Sequence, residues 1–225
     1  MIPWTLLDTA SIPNGGGELR LKQRGQEFSI MLGSNELMNS RLSGSEEALA
    51  TLACAKISGR PAPHVLIGGL GMGFTLRAAL GVLGSGARVT VAELVPAVVA
   101  WARGPMAAVF AGSLDDPRVG VHDGDVAGVI QAGKGSYDAI LLDVDNGPDG
   151  LTHAANDGLY DRPGLLAARD ALRPGGVLAV WSSGPDSRFT KRLREARFAV
   201  EEVATRANGK RGGARHMIWI AVKAG

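Results

Sequence analysis

Short apolar runs alternate with amphipathic stretches from about residue 64 to the end of the chain. The first run, Val65–Gly68, passes directly into glycines, and a helical pattern begins at Phe74. A short apolar run bounded by turn residues is typical of a buried parallel strand. Similar runs predict strands at 88–92, 119–122, 137–142, 177–181, 200–204 and 217–222. The alternation of strands and helices predicts an α/β fold with a mostly parallel sheet.

The first part of the chain has a different pattern, and residues 1–44 are predicted to form a small β-rich lobe. Polar and apolar positions alternate in Glu18–Lys22, which predicts a half-buried strand. Glu27–Leu32 follows after a short glycine-containing turn, so the two runs predict a β-hairpin. A helix is predicted over Ser45–Lys56, with its first residue as N-cap and two acids in its first turn. The α/β domain is expected to cover 45–225.

The turn after the first predicted strand contains Gly69, Gly71 and Gly73. Glycine permits a sharp turn and allows the backbone to approach a ligand closely. The helix that follows offers free backbone N–H groups and a positive dipole end. In a doubly wound sheet this turn forms the floor of a nucleotide pocket. The spacing differs from the G-x-G-x-x-G dinucleotide fingerprint, which counts against NAD, although NAD stays a competing nucleotide.

Acidic residues follow three consecutive predicted strands, at Glu93, Asp125 and Asp143. In open α/β sheets, ligands bind beyond the carboxyl ends of the strands. Glu93 lies about 20 residues past the glycines, where an acid that accepts hydrogen bonds from a ribose diol is expected. Asp125 could accept from an adenine amino group, or it could cap the next helix. Together with the glycine turn, these acids predict a site for an adenosyl nucleoside.

Several of these segments together resemble the spermidine synthase family, a branch of the class I S-adenosylmethionine-dependent methyltransferase fold. The resemblance covers most of the chain from about residue 15 and is carried by 65–73, 91–96, 116–119 with Asp125, and 137–143. It implies a Rossmann-like seven-stranded sheet, closed by a hairpin of the last two strands, with a small N-terminal β-rich lobe. It also implies a homodimer. The cofactor-binding residues that it implies are Gly69, Gly71, Gly73, Glu93, Leu94, Asp125 and Asp143.

Two positions depart from the pattern of the family. The glycine turn of the family carries an aspartate that holds the aminopropyl ammonium of decarboxylated S-adenosylmethionine, and this chain has Met72 there. A second acid of the family, which holds the polyamine, is matched here by Asn146. An unpaired ammonium is costly to desolvate. The expected reaction is therefore methyl transfer from S-adenosylmethionine to a small polar acceptor. Aminopropyl transfer from decarboxylated S-adenosylmethionine to a polyamine is the alternative, because Asp145, Asp149 or Asp157 can substitute.

Asp143 is the predicted catalytic residue, with Asp145 second. Transfer from a sulfonium requires alignment of the reactants and, for an amine, removal of a proton. The family acid that matches Asp143 lies beside the reacting amine as its proton acceptor. The alternative is that Asp143 only orients the loop or the ammonium of the donor. Asn146, His153 and Tyr160 are predicted to contact the acceptor, with solvation or core packing as the alternatives.

Composition adds limits to this picture. The formal net charge is +2, which gives no reason to expect nucleic acid or a membrane as a partner. The single cysteine, Cys54, excludes an internal disulfide and fits a reducing cytoplasm. No cluster has metal-ligand spacing, so no metal is expected. The basic loop 206–215 is typical of a solvated loop, with an acidic acceptor or RNA as the alternative ligand. A non-catalytic nucleoside-binding or scaffold protein is a further alternative.

Overall fold

The computed structural model describes residues 2–144 and 158–225. The described residues near the N-terminus form a four-stranded antiparallel sheet. Its strands, in spatial order, are β1 (Thr5–Ser11), β2 (Glu18–Arg24), β3 (Glu27–Leu32) and β4 (Asn35–Asn39). This sheet confirms the predicted β-rich lobe, whereas the domain boundary at residues 44 and 45 stays a prediction.

A seven-stranded sheet forms the larger part of the molecule, with the order β10-β11-β9-β8-β5-β6-β7. Its strands are β5 (His64–Gly68), β6 (Arg88–Glu93), β7 (Val119–Asp123), β8 (Tyr137–Leu142), β9 (Leu172–Ser182), β10 (Phe198–Arg206) and β11 (Arg215–Lys223). The strands from β5 to β9 pair in parallel, and β11 is antiparallel to both of its neighbours. The structure therefore confirms the predicted α/β sheet and its closing hairpin.

Helices connect these strands and cover both faces of the sheet. They are α1 (Gly44–Lys56), α2 (Phe74–Val82), α3 (Pro96–Arg103), α4 (Ala107–Phe110), α5 (Val126–Ala132), α6 (Arg162–Ala171) and α7 (Ser187–Glu195). One core cluster joins the lobe to the sheet and includes Leu21, Leu49 and Val91. A second cluster, on the other face, includes Phe189 and Trp219. No described helix is long and apolar enough to cross a membrane.

A buried acid near the amino end of β8 links the central strands of the sheet. Every residue of β8 is buried, as expected for a strand with helices on both faces. Its single charged residue, Asp138, pairs with Arg60 and with Arg173, the latter at 2.7 Å. The backbone N–H of His64 also donates to Asp138, at 2.6 Å. These partners stabilise the buried carboxylate and join β8 to the start of β5.

Two details of the sequence prediction were wrong. Ser43, not Ser45, occupies the N-cap position of α1, and Ser45 lies fully buried in the first turn. β9 begins at Leu172, before the Pro-Gly-Gly sequence that was expected to precede the strand. A shift in the pairing of β8 with β9 and a positive φ at Gly175 accommodate this sequence inside the strand.

Candidate active site

The site lies where the order of the sheet reverses. β5 lies between β6 and β8, so the chain leaves β5 in one direction and returns on its other side. A cavity of about 200 Å³ opens beyond the carboxyl ends of these three strands. The glycine turn, α1, the end of β9 and the N-terminal lobe complete its described wall. This is the position at which open α/β sheets bind their ligands.

The glycine turn adopts a conformation that only glycine accommodates readily. Gly69 and Gly73 have φ values of +88° and +75°. A Cβ atom on Gly69 would lie 2.5 Å from the carbonyl oxygen of Asp143. A Cβ atom on Gly73 would lie 2.4 Å from the ring of Phe110. The two glycines are therefore required both for backbone conformation and for the close packing of the turn.

Glu93, at the end of β6, holds the glycine turn in place. Its side chain is buried, and its Oε2 accepts a hydrogen bond from the backbone N–H of Leu70 at 2.8 Å. Its Oε1 accepts from the N–H of Val95 at 2.9 Å. Burial raises the pKa of Glu93, and the backbone hydrogen bonds oppose this shift. The N–H groups of Gly71 and Leu94 also lower its pKa, so the acid is held by backbone donors on both sides, and a hydrogen bond to a ribose hydroxyl stays a prediction. Glu93 and Leu94 both line the cavity.

Asp125 caps a helix and also lines the cavity. Its Oδ1 accepts from the backbone N–H of Ala127 at 2.9 Å, so Asp125 is the N-cap of α5. It also lines the cavity, on the side of β7. Helix capping is therefore observed, and the contact with an adenine amino group stays a prediction.

Asp143 follows β8 directly and lies in the cavity wall. Its Oδ2 accepts a hydrogen bond of 2.6 Å from the hydroxyl of Thr75, a buried residue in the first turn of α2. Burial is the main cause that raises the pKa of Asp143 to about 7, and the negative charge of Glu46 raises it further. The hydrogen bond from Thr75 lowers the pKa. A carboxyl group with a pKa near neutrality is suited to proton transfer at physiological pH.

Glu46 is the residue of this site that the sequence analysis missed. It lies in the first turn of α1 and lines the cavity. Burial raises the pKa of Glu46, while the hydroxyl of Ser45, which donates to its Oε2 at 2.7 Å, lowers the pKa. An acid in the first turn of a helix is common, because it interacts favourably with the helix dipole. The local sequence therefore gave no sign that this acid faces a ligand cavity.

His216 contacts both Trp181 and Ser45. Trp181, near the end of β9, lines the cavity, and its buried indole Nε1 has no hydrogen-bond partner among the described residues. The rings of Trp181 and His216 meet edge to face, with centroids 4.8 Å apart. Nδ1 of His216 lies 2.9 Å from the hydroxyl of Ser45.

The remaining predicted site residues are not assembled in the described cavity. Tyr160 is 1% exposed and packs against Phe189 in the core, instead of lining the described cavity wall. Its hydroxyl lies 3.5 Å from the carbonyl oxygen of Val144, which lines the cavity. Core packing is therefore observed, and a contact of Tyr160 with the acceptor stays a prediction. Asp145, Asn146 and His153 lie outside the described residues. Within 2–144 and 158–225, no group of histidine, cysteine and acidic residues could hold a metal ion.

Comparison with known proteins identifies the family. Residues 45–191 match the family model described as the spermine/spermidine synthase domain. The chain belongs to this family. Its fold is also that of a spermidine synthase from Thermotoga maritima, with a TM-score of 0.76 at 18% identity over 97% of this chain and 73% of that one. The family comprises transferases that use S-adenosylmethionine or a related donor.

Curated relatives of this family member carry out two different transfers. A polyamine aminopropyltransferase of Nitrosomonas europaea is 37% identical over 98 residues, which cover 44% of this chain. A putrescine N-methyltransferase of Nicotiana tabacum is 39% identical over 119 residues, which cover 52% of this chain. Each matched stretch spans only 29% of the relative's own length. Family membership alone therefore leaves the transferred group open.

Proposed function

We propose that the protein transfers an aminopropyl group from decarboxylated S-adenosylmethionine to an amine. The observation that supports this function is the charge of the cavity. Its described wall contains four acids and no lysine, arginine or histidine. The acids are Glu46, Glu93, Asp125 and Asp143.

The two possible donors differ by one carboxylate. S-adenosylmethionine carries a carboxylate beside its ammonium, whereas the decarboxylated donor has only the sulfonium and the ammonium. A carboxylate in a cavity lined by acids would be desolvated without a cationic partner and repelled by its neighbours. The decarboxylated donor has two positive charges, which the acids attract. The cavity therefore favours the aminopropyl donor.

This preference reverses the expectation from the sequence, which rested on the absence of acids at Met72 and Asn146. The cavity regains one acid from a different element, because α1 brings Glu46 into the wall that Met72 also lines. The loss of an anionic contact at position 72 is thus no argument against a cationic donor.

The reaction requires the site to hold the nucleoside and to accept one proton. In this proposal, the glycine turn and Glu93 hold the ribose, and Asp125 holds the adenine. The nitrogen of the acceptor attacks the aminopropyl carbon that is bonded to sulfur. The carbon–sulfur bond breaks, its electron pair neutralises the sulfonium, and methylthioadenosine leaves. Asp143 takes the proton released from the nitrogen, for which its pKa of about 7 is well matched.

Methyl transfer to an amine is the second candidate, since a putrescine N-methyltransferase is among the relatives. The same nucleoside contacts and the same proton acceptor would serve it. Incubation of the protein with a diamine and each donor separates the two, because mass spectrometry distinguishes an added aminopropyl group from an added methyl group. Aminopropylation with the decarboxylated donor supports the proposal. Methylation with S-adenosylmethionine, and no aminopropylated product, would overturn it.

A further inference from the structure

We infer that the carboxylate of Glu46 binds the terminal ammonium of the donor's aminopropyl group, in place of an acid at position 72. This inference rests on the proposed function and extends it by naming the residue that selects the donor. It assigns to α1, outside the strand ends and the glycine turn, a direct part in substrate recognition.

The position of Glu46 supports this role. Glu46 and Met72 line the same cavity, one from α1 and the other from the glycine turn. The hydroxyl of Thr75 lies 3.4 Å from the carbonyl oxygen of Glu46 and 2.6 Å from Oδ2 of Asp143. One side chain thus contacts both acidic residues. The backbone of Glu46 thus lies near the proposed proton acceptor, and the negative charge of Glu46 is close enough to raise the pKa of Asp143.

Hydrogen bonds hold the carboxylate of Glu46 in place. Ser45 donates its single hydroxyl proton to Oε2 of Glu46. The contact between Ser45 and Nδ1 of His216 must then have the imidazole as donor. Burial lowers the pKa of His216, which favours a neutral ring, and the contact with Ser45 then assigns its proton to Nδ1. Ser45 and His216 are thus positioning residues for Glu46.

The charge on Glu46 has no counterion in the described part of the chain. No cationic side chain contributes to the pKa of Glu46 or to that of Asp143. The charge of Glu47 raises the pKa of Glu46, and the charge of Glu46 raises the pKa of Asp143. A buried carboxylate is stabilised when it is paired and hydrogen-bonded. An ammonium between these two acids would supply the missing pairing. The apolar side chains of Leu37, Met38 and Met72 line the same cavity and suit the propyl chain.

The test compares two ligands that differ only in the aminopropyl group. Decarboxylated S-adenosylmethionine and methylthioadenosine are titrated calorimetrically into the wild-type protein and Glu46→Gln. We expect Glu46→Gln to bind the decarboxylated donor roughly 10- to 100-fold more weakly, the loss expected for a hydrogen bond to a charged group. Its affinity for methylthioadenosine should not change. Glu47→Gln is the matched control, because Glu47 is the exposed neighbour of Glu46 on the same helix.

A charge-restoring variant strengthens the test. Adding Met72→Asp to Glu46→Gln should recover affinity for the decarboxylated donor, because it returns an acid to the same cavity wall. If Glu46→Gln does not fold, Glu46→Asp is the second variant, because it keeps the charge but shortens the side chain. It should weaken binding of decarboxylated S-adenosylmethionine and leave binding of methylthioadenosine unchanged. Unchanged affinity of either folded variant for the decarboxylated donor would overturn the role of Glu46.

The two proposals fail in different ways. If the wild-type protein binds S-adenosylmethionine as tightly as the decarboxylated donor, the proposed function is wrong. If the wild-type protein prefers the decarboxylated donor and Glu46→Gln retains the full preference, the proposed function stands and the role of Glu46 is wrong.

Discussion

The negative charge of Glu46 raises the pKa of Asp143, although the two residues belong to distant parts of the chain. Glu46 lies in the first turn of α1, and Asp143 follows β8. Both line the cavity at the switch point of the sheet. Two acids that repel each other inside a cavity favour a cationic ligand, because the ligand relieves the repulsion. This relationship is the physical basis of the proposed donor specificity.

Replacement of Asp143 tests its role as proton acceptor. We expect Asp143→Asn to lower kcat by about 100- to 10,000-fold, the usual contribution of a positioned base. Affinity for methylthioadenosine should be retained, because the nucleoside contacts lie elsewhere in the cavity. Steady-state kinetics with a diamine and calorimetric titration provide the two readouts. A variant with wild-type kcat would contradict the assignment.

Thr75 tunes this acid, so its replacement should shift the pH profile. The hydroxyl of Thr75 stabilises the charged form of Asp143 and lowers its pKa. Thr75→Val removes this hydrogen bond, and we expect the rise of kcat with pH to move to higher pH. Thr51→Val is the control, because Thr51 is exposed on α1 and bonds only to the backbone of its own helix. The acceptor amine titrates in the same way in the Thr75→Val and Thr51→Val variants. If the pH profile of kcat shifts equally in both, Thr75 does not set the pKa of Asp143.

The raised pKa of Asp143 also has a consequence for stability. In the native state the pKa of Asp143 is about 7, above the value of 3.8 that an exposed aspartate has. Between these values the native state binds more protons than the unfolded state, so the wild-type protein loses stability as pH rises. Asp143→Asn removes this contribution. We therefore subtract the melting temperature of the wild-type protein from that of Asp143→Asn at each pH. We expect this difference to be larger at pH 8 than at pH 4. An equal difference at both pH values would show that Asp143 titrates normally.

The glycine turn should tolerate no side chain at Gly69. Gly69→Ala would require a Cβ atom 2.5 Å from the carbonyl oxygen of Asp143 and a strained φ of +88°. We expect a loss of about 1–3 kcal/mol in the free energy of unfolding and weaker binding of methylthioadenosine. Gly81→Ala is the matched control: Gly81 lies within α2, a Cβ atom there would meet nothing within 4 Å, and alanine favours the helix. Chemical denaturation measures both variants, and equal stability would contradict the packing described for the turn.

The central part of the fold follows from local sequence. The apolar run of residues 139–142 in β8 and the glycines after β5 are strong signals, because burial on both faces and positive φ each restrict the residue type. β1 gave no such signal, since nearly every residue of this edge strand is exposed. The rule that ligands bind beyond the carboxyl ends of parallel strands predicted that Glu93, Asp125 and Asp143 lie around one cavity, as observed.

The part of the site that the sequence did not reveal depends on tertiary contacts. Glu46 enters the cavity because α1 packs against α2 and against the sheet. The sequence also did not reveal that Trp181 lines the cavity, because a tryptophan near the end of β9 can be a core residue as well as a ligand contact. The residue at position 72 does not reveal that another element supplies an acid to the same cavity wall.

The most direct test of the proposed donor specificity is a calorimetric titration of the wild-type protein with decarboxylated S-adenosylmethionine and, separately, with S-adenosylmethionine. The acidic cavity predicts that the decarboxylated donor binds at least about 10-fold more tightly, because one unpaired carboxylate costs more than 1.4 kcal/mol when it is desolvated. Equal or tighter binding of S-adenosylmethionine would contradict the account and return methyl transfer as the function of this site.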